Sequence, residues 1–353
     1  MHFTSLNDPR LLDPTPLRDG LDDALATYVS ADLRPRRDAP VPGDFKRVHE
    51  YEQLNQLVAG AQWRALALAS SASIVGTTDR RALLKYWAYR ALALTQIGAS
   101  AQVERELGRV ASVMRVSKWP FDLRVLRAQA PGLAHGAWIV SADRLSALLR
   151  ACQRALPSDR DVWGQRVFRV TMILIRVLAE MRDSALAVRL LDQVLCGCDD
   201  ALLLSVAARL LLQLGAVPDA ERLFVRVEAL APGDALALMN RALYAVAGGK
   251  WSTARGLFAD VAERHPDRLA PANNSALCDL YLGDPQAMLD ALQRLMAAAP
   301  AAAGTSEELV RNYCTGLDLH YDAARLRDAK AKKLVDVATW AGDGFDETSF
   351  KLT

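Results

Sequence analysis

A 34-residue period runs through the second half of the chain and restricts what it can fold into more than any other feature. "AERLFVRVEALAP" (residues 220–232) and "ARGLFADVAERHP" (residues 254–266) share alanine, phenylalanine and proline at matching positions and little else. The same period separates Pro232, Pro266 and Pro300, then Gly215, Gly249 and Gly283, then Ala208, Ala242 and Ala276. Each recurring position has a mechanical reason. Ala208 and Ala220 belong where two helices cross, at axial separations of roughly 8–10 Å that leave space for little beyond a methyl group. Ala242, Ala254 and Ala276 continue those two columns. Phe224 and Phe258 fill the gap between units, each burial contributing roughly 1.5–3 kcal/mol. The glycines supply a left-handed residue after a first helix, and the prolines stop a second one.

A unit of this length is a helix–turn–helix of the tetratricopeptide kind, which buries its apolar face only by stacking on copies of itself. The spacing therefore predicts an all-α superhelix, a solenoid of about seven helical hairpins with a C-terminal helical cap. Earlier units are looser. "KYWAYRALALTQIG" places Trp87, Ala91, Leu94 and Gly98 in the same relative positions, and "YEQLNQLVAGAQWRALALAS" reads as the first hairpin. "FDLRVLRAQAPGLAHG" begins another, which Pro131 is expected to disturb. The proline-rich residues 1–44 read as an extended arm, residues 45–300 as the solenoid, and residues 301–353 as the cap and tail.

Charge and chemistry exclude several classes. With 43 lysines and arginines against 41 aspartates and glutamates, nothing global draws the chain to nucleic acid or an anionic membrane. "VTMILIRVLA" and "ALLLSVAARLLLQLGAV" are interrupted by Arg176, Arg209 and Gln213, so neither offers the roughly 18 apolar residues of a membrane span. The N-terminus lacks the basic start and apolar core of a secretory signal, and five cysteines point to reduced thiols in the cytosol. "CGC" at residues 196–198 has no second pair and falls at a helix end, so it reads as structural. "AGGKWSTA" lacks the spacing and preceding strand of a phosphate loop, and Gly249 is already explained by the repeat. "LRPRRD" reads as a solvated basic run and "YDAARLRDAKAKKL" as an exposed helix face. No histidine has a Cys or acidic partner at metal-ligand spacing. No catalytic, cofactor or metal site is expected, nor a small-molecule substrate.

A binding surface is expected instead. In this architecture the first helix of each unit lines a concave surface, here through Leu202, Ser205, Arg209, Leu236, Met239, Leu243, Asn273, Leu277 and Tyr281. The register exposes a mixed row of Arg209, Met239, Asn240, Asn273, Asn274 and Tyr281, of residue types suited to holding a partner segment. Asn273 and Asn274 have a plainer reading as caps of a helix that starts after Pro271.

Longer words carry a family resemblance. "RLAPANNSALCDLYLGDPQAML" resembles the "AxANNxAxCxLYLG" stretch of the trafficking protein particle (TRAPP) complex subunit 12 family. "KWPFDLRVL" is similar to that family's "xxPFxxRxL". "DVWGQRVFRVTMILIRVLAEMRDSALAVRLLDQVL" is similar to its Trp-Arg-containing hairpin, and "VATWAGDGFDETSFKLT" to its "GDxF" with a terminal "KL". The matches keep their order over residues 84–353. The resemblance implies a non-enzymatic subunit of a TRAPP III-type tether, which acts as an exchange factor for a Rab GTPase in ER-to-Golgi and autophagic traffic. Its implied partners are other TRAPP subunits, with indirect association to the Rab and to membranes. Its implied location is cytoplasmic, peripheral to ER–Golgi intermediate and Golgi membranes. The repeats by themselves are equally consistent with a tetratricopeptide adaptor of another assembly.

Overall fold

Short acidic side chains open many of the helices. Asp79, Asp159, Asp200, Asp234, Asp284 and Asp322 each accept a hydrogen bond from an amide of the following turn, satisfying donors that a helix start leaves free. A computed structural model describes residues 5–37 and 48–352. Among them the helices are α1 (Gly20–Tyr28), α2 (Tyr51–Ala59), α3 (Trp63–Gly76), α4 (Arg80–Gln96), α5 (Ser100–Val113), α6 (Phe121–His135), α7 (Trp138–Ala155), α8 (Arg160–Glu180) and α9 (Ser184–Leu195). They continue with α10 (Ala201–Gln213), α11 (Val217–Leu230), α12 (Ala235–Ala247), α13 (Trp251–Arg264), α14 (Leu269–Tyr281), α15 (Pro285–Ala298), α16 (Pro300–Ala303), α17 (Glu307–His320) and α18 (Ala323–Ala338). No strand occurs among the described residues, and α2 to α15 fall into seven consecutive pairs. The chain has the all-α tetratricopeptide fold.

The sequence period is also the structural period. α10, α12 and α14 are each 13 residues long and begin 34 residues apart. α11, α13 and α15 are each 14 residues long at the same spacing. Gly215, Gly249 and Gly283 follow the first helices with φ of 76°, 69° and 91°, a region that L side chains adopt only at a cost. Pro232, Pro266 and Pro300 follow the last residue of each second helix. Ala208, Ala220, Ala242, Ala254 and Ala276 are all buried. Phe258 packs with Ala242, Ala245 and Ala254 of its own hairpin and with Cys278 of the next. Phe224 is buried edge-on to Tyr244, with ring centroids 6.4 Å apart.

The described residues separate into two compact units: 5–19, 48–194 and 342–344 in one, and 20–37, 195–341 and 345–352 in the other. The boundaries expected at residues 44 and 300 are not where these units part. In the first unit, Trp87, Leu66, Leu94, Leu107 and Leu123 form the core with Leu6 and Leu11 from the N-terminal arm. The arm is fastened by hydrogen bonds from Trp87 Nε1 to the Leu6 carbonyl (3.0 Å) and from the Asp13 amide to Glu106 (2.8 Å). Glu106 also forms a buried ion pair with Arg90 at 2.6 Å. Arg64, likewise buried, pairs with Asp19 (3.0 Å) and with Asp343 (2.7 Å).

In the second unit, residues 20–28 are helical rather than extended. Leu21, Ala24 and Leu25 of α1 face a core containing Leu309, Val310, Val337 and Phe350, and an amphipathic helix is the way to bury that stripe. The basic run "LRPRRD" is not simply solvated either. Arg34 donates to the Ala26 and Val29 carbonyls, and Arg37 to the Ala338 and Ala341 carbonyls. Ala26 and Ala338 lie in the last turns of α1 and α18, whose carbonyls lack helical donors, and Val29 and Ala341 lie just beyond those helices. α18 hides one of its lysines. Lys330 is buried between Asp318 (2.6 Å) and the Lys351 carbonyl (2.7 Å).

Pro131 does not break its hairpin. α6 continues through it to a left-handed Gly136. Proline cannot donate to the carbonyl four residues earlier, and that carbonyl, on Arg127, takes a hydrogen bond from Arg144 of α7 at 3.1 Å. The next amide, on Gly132, donates to Ser141 at 2.9 Å. Helix α7 therefore supplies what the ring removed.

Candidate partner-binding surface

The mixed row lies on α10, α12 and α14, and the structure divides it. Asn240 is buried, and its Oδ1 accepts from Ser205 (2.8 Å) and from Arg209 Nε (3.2 Å). Its amide nitrogen has no hydrogen-bond partner among the described residues. Asn273 is also buried, and its Oδ1 accepts from Asn312 of α17 at 3.1 Å. These two asparagines are struts between first helices, not exposed anchors. Packing decides this, because Asn240 sits on the side of α12 that meets the preceding α10, and Asn273 on the side of α14 that meets α17. Neither Asn273 nor Asn274 caps a helix. α14 begins at Leu269, with Pro271 inside its first turn, where a proline costs no hydrogen bond.

The other members remain at least partly open. Arg209 is half-buried, and desolvation lowers its pKa. Met239 is half-buried against the cluster around Phe258. Asn274 is half-buried within α14. Tyr281 is 62% exposed, yet its ring stacks on Trp251 with centroids 4.0 Å apart and planes 5° from parallel. A held but open aromatic pair is a ready contact surface, because little side-chain entropy remains to be lost on binding. Leu202 and Val206, on the same α10, are exposed as well.

Two further concavities escaped the sequence reading. In the C-terminal helices, Met296, Tyr313, Leu317, Tyr321, Lys333 and Trp340 line a cleft of about 550 Å³. Lys333 sits 5.2 Å from the Tyr313 ring centroid, a cation–π distance. The signal available was Trp340, an aromatic just beyond an amphipathic helix. Beside α12, Val217, Arg241, Tyr244, Lys250 and Leu257 line a hollow of about 400 Å³. Arg241 follows Asn240 by one residue, but nothing in the repeat marks it.

The described residues hold no group of three or more His, Cys, Asp or Glu placed to bind a metal ion. None of their helices is long and apolar enough to cross a membrane. Cys196 and Cys198 flank a left-handed Gly197 just past the end of α9, and both are free thiols.

No family model matches the chain. Mouse (Mus musculus) trafficking protein particle complex subunit 12 is 27% identical over 267 residues, covering 67% of this chain and 33% of that protein. The human (Homo sapiens) protein of the same name is 26% identical over 267 residues, covering 67% and 36%. The chain thus spans about a third of the length of these relatives. A tetratricopeptide repeat protein from Parabacteroides merdae aligns with 76% of this chain and 96% of its own, at 12% identity and a TM-score of 0.47. That superposition is loose, and the fold rests on the hairpins and their 34-residue period. The resemblance carried by the motif words is borne out: over two thirds of its length the chain is similar to trafficking protein particle complex subunit 12.

Proposed function

We propose that the chain is a non-catalytic scaffold subunit of a TRAPP assembly of the TRAPP III type. In this reading it supports Rab nucleotide exchange in ER-to-Golgi and autophagic traffic without performing it. The observation that carries the proposal is the similarity to subunit 12 over 267 residues in two mammals. A stack of regular hairpins supports it, since such arrays present extended surfaces to other proteins. Its partners are then other TRAPP subunits, and Rab and membrane contacts are indirect, at Golgi and ER–Golgi intermediate membranes. The docking surface in this proposal is the row on α10, α12 and α14. Arg209, Met239, Asn274 and the Tyr281–Trp251 stack touch the partner, while Asn240 and Asn273 hold the helices beneath.

The test is affinity purification of the tagged chain, with mass spectrometry of what it retains. Other TRAPP subunits are expected in stoichiometric amounts. Their absence, with a different stable set of proteins in their place, would favour the second reading of a tetratricopeptide adaptor for another assembly. That reading draws on the same hairpins, which specify no partner by themselves. Tyr281→Ala and Arg209→Glu should each reduce recovery several-fold while leaving the helical circular dichroism signal intact. Full recovery with both folded variants would move the interface elsewhere. The purified chain alone should not accelerate nucleotide release from a Rab, and measurable exchange would overturn the scaffold role.

A further inference from the structure

Charge is unevenly distributed along this chain. Residues 115–182 contain twelve lysines and arginines against five aspartates and glutamates, whereas the whole chain is nearly balanced. The excess falls in the first unit, on and around α6, α7 and α8.

Three of these arginines are anomalous. Arg124 and Arg127 on α6 and Arg166 on α8 are half-buried, and none reaches a hydrogen-bond acceptor among the described residues. Every other buried or half-buried arginine there does reach one, namely Arg37, Arg64, Arg90, Arg109, Arg144 and Arg209. No nitrogen of the three is sealed from water, so each keeps an edge open to an acceptor from outside.

Aromatic rings hold two of these groups, Arg127 and Arg166, in place instead. The Arg166 guanidinium lies 5.1 Å from the Phe121 ring centroid and 4.4 Å from that of Trp163. Arg127 lies 6.0 Å from the Trp119 ring. Ring stacking fixes the plane of a guanidinium and leaves its N–H edge open to a carboxylate. α6 and α8 come together at this face, where Arg169 pairs with Asp122 at 2.6 Å. Burial raises the pKa of the Cys152 thiol of α7, and the charges of Arg124 and Arg166 oppose that rise. Burial lowers the pKa of Arg127, the charge of Arg144 adds to that, and Glu104 offsets part of it. Around the three open guanidiniums, then, Asp122 is already paired with Arg169, and Glu104 with Arg144.

We propose that the face formed by α6 and α8 binds an acidic segment of a partner protein, whose carboxylates take up the free edges of Arg124, Arg127 and Arg166. Charge complementarity selects this occupant. Arg127 and Arg166 are held against rings, and planar guanidiniums suit bidentate carboxylates. The inference does not depend on which assembly the chain joins.

The probe is a fluorescein-labelled peptide containing eight glutamates, compared with its glutamine counterpart by fluorescence anisotropy on the full chain. Saturable binding of the glutamate peptide is expected, weakening as salt is raised, with the glutamine peptide at least about tenfold weaker. The double variant Arg124→Gln/Arg166→Gln should lose about tenfold in affinity. Arg115→Gln/Arg182→Gln removes two exposed charges of the same segment and should stay within about twofold. Circular dichroism checks that both variants fold, and the two-peptide comparison on the unmodified chain stands even if one does not. Equal losses in the two variants would reveal diffuse charge and overturn the proposal. So would the absence of saturable binding, or tighter binding of a single-stranded oligonucleotide of equal charge or of phosphatidylserine vesicles.

Discussion

Phe258 shows how one side chain serves two repeats. It is 1% exposed and touches both its own hairpin and Cys278 of the next. Phe258→Ala should cost roughly 3–5 kcal/mol, read as a lowered midpoint in urea unfolding. The methyl-sized position beside it has the opposite constraint, and Ala242→Leu should destabilise by roughly 1–3 kcal/mol through overpacking. Gly344 is fixed twice over. Its φ is 83°, and a Cβ there would lie 2.4 Å from the Gln96 carbonyl oxygen. The cysteines separate by burial. Cys152, Cys278 and Cys314 are buried, and burial pushes all three thiols up, Cys314 to about 12. Since the thiolate is the nucleophile, maleimide at neutral pH should label exposed Cys196 first. The three buried thiols should react only after unfolding, as read by mass spectrometry of the intact chain.

Helix α6 persists because its neighbour repairs it. Arg144→Ala should leave the Arg127 carbonyl unsatisfied and cost about 1–3 kcal/mol. Pro131→Ala restores the missing amide donor, so in the Arg144→Ala background it should recover part of that loss. Additive effects in a double-mutant cycle would show that the two residues do not share this carbonyl. The N-terminal arm depends on charge in a different way. Burial opposes ionisation of Asp13, but hydrogen bonds from Thr15 and Arg105 hold its pKa down to about 2. A carboxylate with a lowered folded-state pKa stabilises fully above its unfolded value and loses that contribution as pH falls. Arm anchoring should therefore weaken between about pH 4 and pH 2. Proteolytic nicking of residues 5–19 should rise over that window in the native chain, and less so in Asp13→Asn.

Both units borrow apolar residues from the first 37 positions. Leu6 and Leu11 complete one core, and Leu21 and Leu25 the other. At roughly 1.5–3 kcal/mol for each buried leucine, removing residues 1–37 should lower the thermal midpoint sharply and promote aggregation. Retention of a wild-type midpoint would show that this segment is dispensable. Only part of this organisation could be read from the residues. The hairpins of α10 to α15 were legible to within a residue or two, because alanine, glycine, phenylalanine and proline each meet a local steric demand every 34 positions. The docking row was legible only as a register. Asn240 and Arg209 share a helical face with exposed residues, and nothing local says that Ser205 takes one up while leaving the other half open.

The sequence by itself determined the helical class, the hairpin unit, its 34-residue length and the likeness to subunit 12, because all of these are written in short-range spacing or in words. Tertiary structure alone decided the rest. It brought Asp343 to Arg64 across 279 residues, and the Asp13 amide to Glu106 across 93. It turned a proline-rich arm partly into a core helix, and it left three arginines half-buried without acceptors. The reason is physical: helix periodicity follows from neighbours three and four residues apart, whereas burial and ion pairing depend on which surfaces the completed helices press together.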